Sequence, residues 1–421
     1  MQIETAAVIF REDVYPRIRT SAETVQKYAE DLSVLPPIEV NQRNELIDGW
    51  HRWTAHKKMG ATSIAAEVTE TTSDIHLLEL AIARNATHGL QLSQEDKRDM
   101  ARKIYGMTPE RERDSAKKRF ATIFSVGDRT VREWLSRVDK DAKDARDKRI
   151  FELWLACHTQ EEIAEAVGLS QPQVAEVTTK NIGNGDLADS DKAVASHATD
   201  FQVPLYNVWK QQEKTPGSGH FGNSDVRWVD NLLYLYTKPF DVVVDPFGGG
   251  GSTIDLCRKR LRRYWVSDRK PIVEREKEIR RHDLTEGLPL LPRWKDVRLV
   301  YLDPPYWAQA AGQYSDDAAD LANMPLASFT AALAEVINGF AVKLKGTGAA
   351  IALLMQPTQW KAPEKQYTDH VADMIKAVKM PIDLRVQCPY ESQQCTAQMV
   401  EWAKAKRKVL VLSRELVIWR A

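Results

Sequence analysis

The chain has 421 residues, 43% of them hydrophobic and 28% charged, and its 59 Lys and Arg are balanced by 59 Asp and Glu. That length implies two or three domains, because single cores rarely grow past roughly 250–300 residues, and the composition is ordinary for a soluble globular protein. No apolar run approaches the ~18 residues that span a bilayer, no signal-peptide core opens the sequence, and four cysteines (Cys157, Cys257, Cys388, Cys395) without a CxxC pair speak against a disulfide framework or zinc site. The expectation is a reduced, cytoplasmic protein with no membrane segment.

In chain order, Ile38-Glu39-Val40 after Pro36-Pro37 reads as a strand. Glu45-Leu46-Ile47-Asp48-Gly49 reads as a strand ending in a turn, and residues 53–59 as a helix that stops at Gly60. Mostly helical patterning follows over 93–180. Within it, residues 120–135 read as a helix, a turn at Gly127 and a capped second helix. Ala121, Ile123, Val131 and Trp134 would pack inside, leaving Arg129, Thr130 and Arg132 to face a DNA major groove. Residues 159–174 repeat that layout, with Gln171 and Gln173 on the second helix. A neutral nucleic-acid binder should segregate its charge, and residues 91–150 hold 17 Lys and Arg against 12 Asp and Glu. Residues 181–200 are small, polar and glycine-containing, as in a linker. From Phe201 onward, β-rich runs alternate with amphipathic segments, which predicts a doubly wound α/β sheet.

The strand Val242-Val243-Val244-Asp245 opens into Pro246-Phe247-Gly248-Gly249-Gly250-Gly251-Ser252-Thr253. Glycines there let the backbone approach a ligand closely. A phosphate-binding P-loop would need Lys where Ser252 stands. A second strand, residues 264–268, ends in Asp268, and a carboxylate about 20 residues past a glycine loop commonly takes ribose hydroxyls. Asp283 follows in His282-Asp283-Leu284. The apolar run 297–302 then leads into Asp303-Pro304-Pro305-Tyr306. A carboxylate and a neighbouring backbone carbonyl suit an exocyclic amine: they accept its N–H groups and aim its lone pair at an electrophile. Later runs, 349–354 and 409–412 with 416–419, read as remaining strands, the last pair as a hairpin. Residues 388–402 fit no motif.

The glycine strand followed by Asp-Pro-Pro-Tyr resembles the amino-methyltransferases that use S-adenosylmethionine (SAM) to modify adenine N6 or cytosine N4 in DNA. The resemblance spans roughly 201–421 and implies a Rossmann-like SAM-dependent methyltransferase sheet. It puts Asp303, Pro304, Pro305 and Tyr306 at the catalytic position. It assigns Asp245, Phe247, Gly249, Gly251 and Ser252 to the cofactor, with Asp268 on its ribose and Asp283 on its adenine. Gly222-Asn223-Ser224-Asp225, the helix after it and Tyr206-Asn207-Val208-Trp209 are expected near its methionine end. Trp307, Gln309 and Gln313-Tyr314-Ser315-Asp316-Asp317 would close over the base or touch DNA. Asp at position 303 favours adenine, since cytosine-N4 relatives more often carry Ser-Pro-Pro.

In the front half, Leu35-Pro36-Pro37-Ile38-Glu39-Val40 with Ile47-Asp48-Gly49-Trp50-His51-Arg52 resembles the small α+β ParB/sulfiredoxin-like fold over about 85 residues. That resemblance implies a nucleotide or phosphate at His51 and Arg52, as helix N-termini favour. ParB clamps usually carry Glu-Arg-Arg after the glycine, where this chain has Trp-His-Arg. Trp50 stands where sulfiredoxin has its cysteine, which excludes that redox chemistry. The expected layout is a ParB-like domain over 1–90, a helical DNA-binding region over 91–180, a linker over 181–200 and a methyltransferase domain over 201–421. The expected activity is adenine-N6 DNA methylation with SAM as cofactor, of the kind found in restriction–modification. The alternatives are cytosine-N4 methylation or a non-catalytic ParB-like DNA-binding regulator. Expected partners are DNA, a nucleotide at the front domain and, as an open alternative, a second copy of the chain.

Overall fold

The computed structural model describes all residues except 14, 17–20, 88–92, 183–196, 198–199, 211–223, 308–311, 313–315, 319, 360–366 and 390–395. Most of the expected linker lies outside the described residues, as do Gly222, Asn223, Gln309, Gln313, Tyr314, Ser315 and Cys395. The chain divides into two compact units, Met1–Ala145 and Arg146–Ala421, so the division falls inside the stretch read from sequence as one helical region.

In the first unit the elements run β1 (Gln2–Glu4), α1 (Ala22–Glu30), β2 (Ile38–Val40), β3 (Leu46–Asp48), α2 (Trp50–Lys58), β4 (Ser63–Val68), α3 (Asp74–Thr87), α4 (Gln94–Met107) and α5 (Arg113–Ile123). The first turns of α6 (Asp128–Leu155) complete it. The sheet order is β1-β4-β2-β3, with β2 and β4 parallel and the other pairs antiparallel. Successive strand residues point to opposite faces, and both faces are covered here. Leu46 packs with Ile38, Val40, Trp53 and Ile64, while its neighbour Ile47 packs with Leu77, Ile82, Phe120, Phe124 and Leu135. Through Ile47 the strands share a core with the first helix-turn-helix, so residues 91–145 do not form a separate body. Helix α2 starts at Trp50, three residues before the predicted start. Gly49 precedes it with φ of 102°, and a Cβ there would sit 2.7 Å from Ile38 Cγ2, so only glycine fits that turn.

The second unit opens with the end of α6, then α7 (Gln160–Val167) and α8 (Gln171–Ile182). It continues through α9 (Val226–Tyr236), β5 (Val242–Asp245), α10 (Ser252–Lys259), β6 (Arg263–Asp268), β7 (Arg280–Arg281), β8 (Val297–Leu302), α11 (Leu326–Leu344) and β9 (Ala350–Met355). The short pair β10 (Thr358–Gln359) and β11 (Tyr367–Thr368), α12 (His370–Ala377), β12 (Ile382–Pro389), α13 (Ala397–Lys406) and β13 (Ser413–Arg420) follow. Seven strands form one sheet in the order β12-β13-β9-β8-β5-β6-β7. From β7 to β9 the neighbours are parallel, and β13 runs antiparallel to both β9 and β12. The chain winds outward from β5 to β6 and β7, then returns to β8 on the other side of β5.

Helices cover both faces. Val243, Leu299 and Tyr301 pack under α9 and α10, whereas Val242, Val244, Val300 and Leu302 pack against Phe329, Leu333, Ile337 and Phe340 of α11. This is the α/β arrangement expected, and it explains why the strands read as continuous apolar runs rather than alternating ones.

Two expectations need correction. Residues 409–412 form no strand and Val409 is exposed, so the final pair is not a hairpin. The outer partner of β13 is β12, a strand not read from the sequence that ends where the stretch fitting no motif begins, with Val386 opposite Leu416 and Cys388 opposite Arg414. Helix α13 lies between them in sequence, a separation that periodicity cannot bridge. The other correction concerns α11, whose 19 residues are long and apolar enough by composition to cross a membrane. Glu335 and Lys343 interrupt its apolar letters, and Phe329, Leu333, Ile337, Phe340 and Leu344 bury one face in the core beside the sheet.

Because Phe120 is fully buried in the core that joins strands to helices, Phe120→Ala should destabilise residues 1–145 by about 3–5 kcal/mol. Denaturant unfolding should show the β-sheet and helical signals of that unit shifting together; separate shifts would mean two independent bodies.

Candidate active site at the carboxyl edge of the sheet

Strands β5 and β8 are adjacent and parallel, with Val244 opposite Val300, so the loops after Asp245 and Leu302 leave from the same edge of the sheet. The chain's winding reverses between these two strands, which is where open α/β sheets leave a crevice for ligands. Asp268 ends the next strand, β6, and Asp283 follows β7. The crevice is a cleft of ≈ 1940 Å³, and Asp245, Phe247, Gly249, Ser252, Asp268, Asp283, Asp303 and Pro305 all line it.

The glycine loop is held by the carboxylates around it. Asp245, only 2% exposed, accepts hydrogen bonds from the Thr253 hydroxyl at 2.6 Å and the Phe247 N–H at 3.0 Å. Burial outweighs these donors and, with Asp303 and Asp268 nearby, pushes the Asp245 carboxyl up to about 7. Gly248 makes the closest approach: a Cβ there would lie 2.6 Å from Val266 Cγ1 and 3.1 Å from the Ser267 carbonyl. Gly249 donates its N–H to Asp268 Oδ2 at 3.0 Å, and Lys270 N–H donates to Oδ1 at 2.9 Å. Gly251, expected at the cofactor, instead precedes α10 with φ of 78° and packs against the Arg275 side chain outside the cleft lining. Asp283 accepts from the Thr285 N–H at 3.0 Å, which with the Arg269 ion pair at 2.8 Å holds it below the usual carboxylate range.

Asp303 is ringed by hydroxyl donors. Tyr306 donates to Oδ1 at 3.0 Å, Tyr301 donates to Oδ2 at 3.3 Å, and the Ser224 hydroxyl also donates to Oδ2. Burial raises the Asp303 carboxyl above its ordinary range; the Arg414 guanidinium is the largest opposing influence, followed by these hydroxyls. Pro304 is buried, and Arg414 sits 5.1 Å from the Tyr306 ring centre.

Two of these groups, Tyr301 and Arg414, were not assigned from sequence. Tyr301 was legible, since it lies two residues before Asp303 on one strand and therefore on the same side. Ser224 belonged to a segment expected near the methionine end of the cofactor, and its hydroxyl donates to Asp303. Arg414 carried no sequence signal. Residues 206–209 depart from expectation: Trp209 N–H donates to the Gln387 carbonyl and Gln387 N–H to the Asn207 carbonyl, which places them along β12 rather than in the cleft lining. Beyond Tyr306, Trp307 donates its indole N–H to the Met324 carbonyl at 2.9 Å, and Asp317 lines the cleft paired with Arg269 at 2.8 Å.

The residues singled out in the front half have identifiable partners. Arg52 pairs with Asp48 at 2.8 Å across the Gly49 turn, and His51 Nε2 accepts the Ser21 N–H at 2.9 Å. Helix α5, the Gly127 turn and α6 form the first helix-turn-helix: Val131 and Trp134 are buried, Ala121, Ile123 and Thr130 half-buried, and Arg129 and Arg132 exposed. The second, α7 and α8, turns at Gly168 with φ of 68°. Its two glutamines have local roles: Gln173 accepts from the Ser170 N–H and hydroxyl, capping its own helix, while Gln171 donates to Glu161 at 2.9 Å.

No protein-family model matches the chain, and no curated protein matches it. Among solved structures, the chain is similar to the C-terminally truncated chromosome-partitioning protein ParB from Caulobacter crescentus complexed to the centromeric parS site. That match has 18% identity and a TM-score of 0.21 and covers 47% of this chain and 76% of that one. The same truncated protein complexed with CTP-gamma-S gives 17% identity and a TM-score of 0.20, covering 44% and 81%. A Pnob8-like ParB-N domain gives 14% identity and a TM-score of 0.28, covering 46% and 86%. At such scores the likeness carries no functional inference, and function has to be read from the chain's own residues.

The raised Asp245 carboxyl has a consequence for stability. Folding favours its protonated form, so its contribution is intact below the unfolded value near 4 and is lost as pH rises towards about 7. Asp245→Asn should flatten that decline in thermal unfolding followed from pH 4 to pH 8; an unchanged slope would show that Asp245 titrates normally.

Proposed function

We propose that the chain is a SAM-dependent DNA methyltransferase acting on the exocyclic N6 amine of adenine. The observation that carries this reading is the gathering of Asp245, Asp268 and Asp303 at the ends of three parallel strands around one cleft, with the glycine loop between them.

The residues present fit such a donor. Asp245, Asp268, Asp283 and Asp303 all face the cleft, and a sulfonium cation would relieve the cost of ionising the most buried of them. Gly248 and Gly249 keep the loop free of side chains where the cofactor backbone would pass. Asp268 would hold the ribose hydroxyls and Asp283 the adenine, each through oxygen lone pairs beyond those its backbone donors use. When bound, SAM supplies an electrophilic methyl group with a neutral thioether as leaving group.

The remaining work falls to the chain's own groups. An aromatic amine is a weak nucleophile because its lone pair is delocalised into the ring. The Asp303 carboxylate and the Pro304 carbonyl would accept its two N–H groups, favouring a tetrahedral nitrogen with the lone pair directed at the methyl. Asp303 would then take the proton released as the new N–C bond forms. Tyr306 offers a ring face for stacking; Arg414 occupies one side, so the base uses the other. A base within a duplex must be flipped out to reach this edge, which costs a few kcal/mol.

In the front half, Arg129 and Arg132 project from a buried helix-turn-helix frame, and we assign them to DNA contact. The corner at Gly49, with His51 and Arg52, is the proposed nucleotide or phosphate contact. Asp303→Ala should reduce methyl transfer by at least ~10²-fold while calorimetry still detects SAM binding; retained transfer would overturn the catalytic assignment. Digestion of the methylated DNA to nucleosides should yield N6-methyladenine rather than N4-methylcytosine. Arg129→Ala should weaken DNA binding and reduce the slope of log affinity against log salt by about one; an unchanged salt series would leave that helix structural.

A further inference from the structure

We propose that Arg414 is the positioning residue of the Asp303 site: one guanidinium that orders two of the hydroxyls donating to the carboxylate and supplies the positive charge facing it. This rests on the reading of Asp303 as the group that grips the amine.

The topology explains how so distant a residue reaches the site. Strand β13 runs against the parallel strands, so its beginning lies at the edge where theirs end, with Glu415 opposite Met355, the last residue of β9. Arg414 is only 8% exposed. Its Nη1 donates to the Ser224 hydroxyl at 2.5 Å, and that hydroxyl donates to Asp303 Oδ2. Accepting from Arg414 favours the Ser224 O–H pointing towards the carboxylate. The guanidinium also lies 5.1 Å from the ring centre of Tyr306, whose hydroxyl donates to Oδ1. On its other aromatic contact it lies 5.7 Å from Trp228, which is anchored by its indole N–H on the Trp209 carbonyl at 2.9 Å. One cation thus touches a donor to each carboxylate oxygen.

The chemistry needs that cation. Only an ionised carboxylate can take the proton the amine releases, and an isolated buried carboxylate would be protonated near neutrality. Among the described residues, the other groups facing Asp303 supply no positive charge: Tyr301 on β8, Tyr306 after it, Asp245 on β5, Cys388 on β12 and Ser224 before α9. Burial works against ionisation, and Arg414 is the largest influence favouring it.

The test uses the full chain with Arg414→Met and Arg414→Lys, assayed for methyl transfer across pH at saturating SAM and DNA. In Arg414→Met the acid limb of the profile should move up by about one pH unit or more, a tenfold loss of rate on that limb, and Arg414→Lys should restore most of it. In parallel, unfolding stability against pH is measured for wild type, Arg414→Met, Asp303→Asn and the double variant. Stability of Arg414→Met should fall more steeply with rising pH than wild type, because ionising Asp303 costs more without its cation; that excess slope should vanish in the Asp303→Asn background. An equal loss of rate at every pH with the limb in place, or an excess slope that persists without the carboxylate, would overturn the proposal. If the wild type transfers no methyl group, the reading of Asp303 fails, while the stability cycle still decides whether Arg414 acts on it.

Discussion

Two carboxylates end neighbouring strands inside a sheet covered on both faces, and this burial of charge sets the terms for much of the second unit. An ionised carboxylate withdrawn from water is costly unless donors replace the lost hydration. Around Asp245 the Thr253 hydroxyl and Phe247 N–H do so, and they also shape the first turn of the glycine loop and the start of α10. Around Asp303 three hydroxyls and the charge of Arg414 serve the same end, drawing residues from the segment before α9, from β8 and from β13 to one point. At each site burial still outweighs these partners, and both carboxyls stay above their ordinary range.

A second buried charge system anchors the chain where the expected linker ends. Arg260, 2% exposed, pairs with Asp230 on α9 at 2.6 Å and with Asp200 at 2.8 Å, and His197 Nε2 lies 3.1 Å from Asp230. Such pairs add little net stability, but breaking one leaves an uncompensated charge, so they specify where the chain must pass. The chain just ahead of the second helix-turn-helix frame is tied down comparably: Arg263 donates to the Trp154 carbonyl and Arg280 to the Ala156 carbonyl, with Arg280 stacked 3.9 Å from the Trp265 ring centre. This helical pair belongs to the α/β unit, and its two glutamines are engaged locally. The first pair shares its core with the N-terminal strands and presents arginines outward. Similar sequence layouts therefore sit in different surroundings.

Much of the fold was legible from local pattern. Apolar runs ending in Asp245, Asp268 and at Leu302 marked strands, because strands buried on both faces admit little else. Glycine signalled the turns at Gly49, Gly127 and Gly168. The spacing of the two motifs placed Asp303 and the glycine loop within one α/β unit. What local pattern missed was pairing across long separations. Strand β12 was passed over because its outer residues are exposed and no neighbour in sequence pairs with it, and the division at Ala145 depends on Ile47 packing against Phe120.

By itself, then, the sequence determined the local elements and the chemical types offered to the cleft: carboxylates at strand ends, side-chain-free backbone after β5, and a stiff proline turn beside Asp303. These follow from near-neighbour sterics, periodicity and solvation. Only the tertiary structure decided which groups control Asp303. The reversal of β13 brings the first residues of a strand to the edge where its neighbours finish, and strand direction is settled by packing the whole sheet rather than by any short segment.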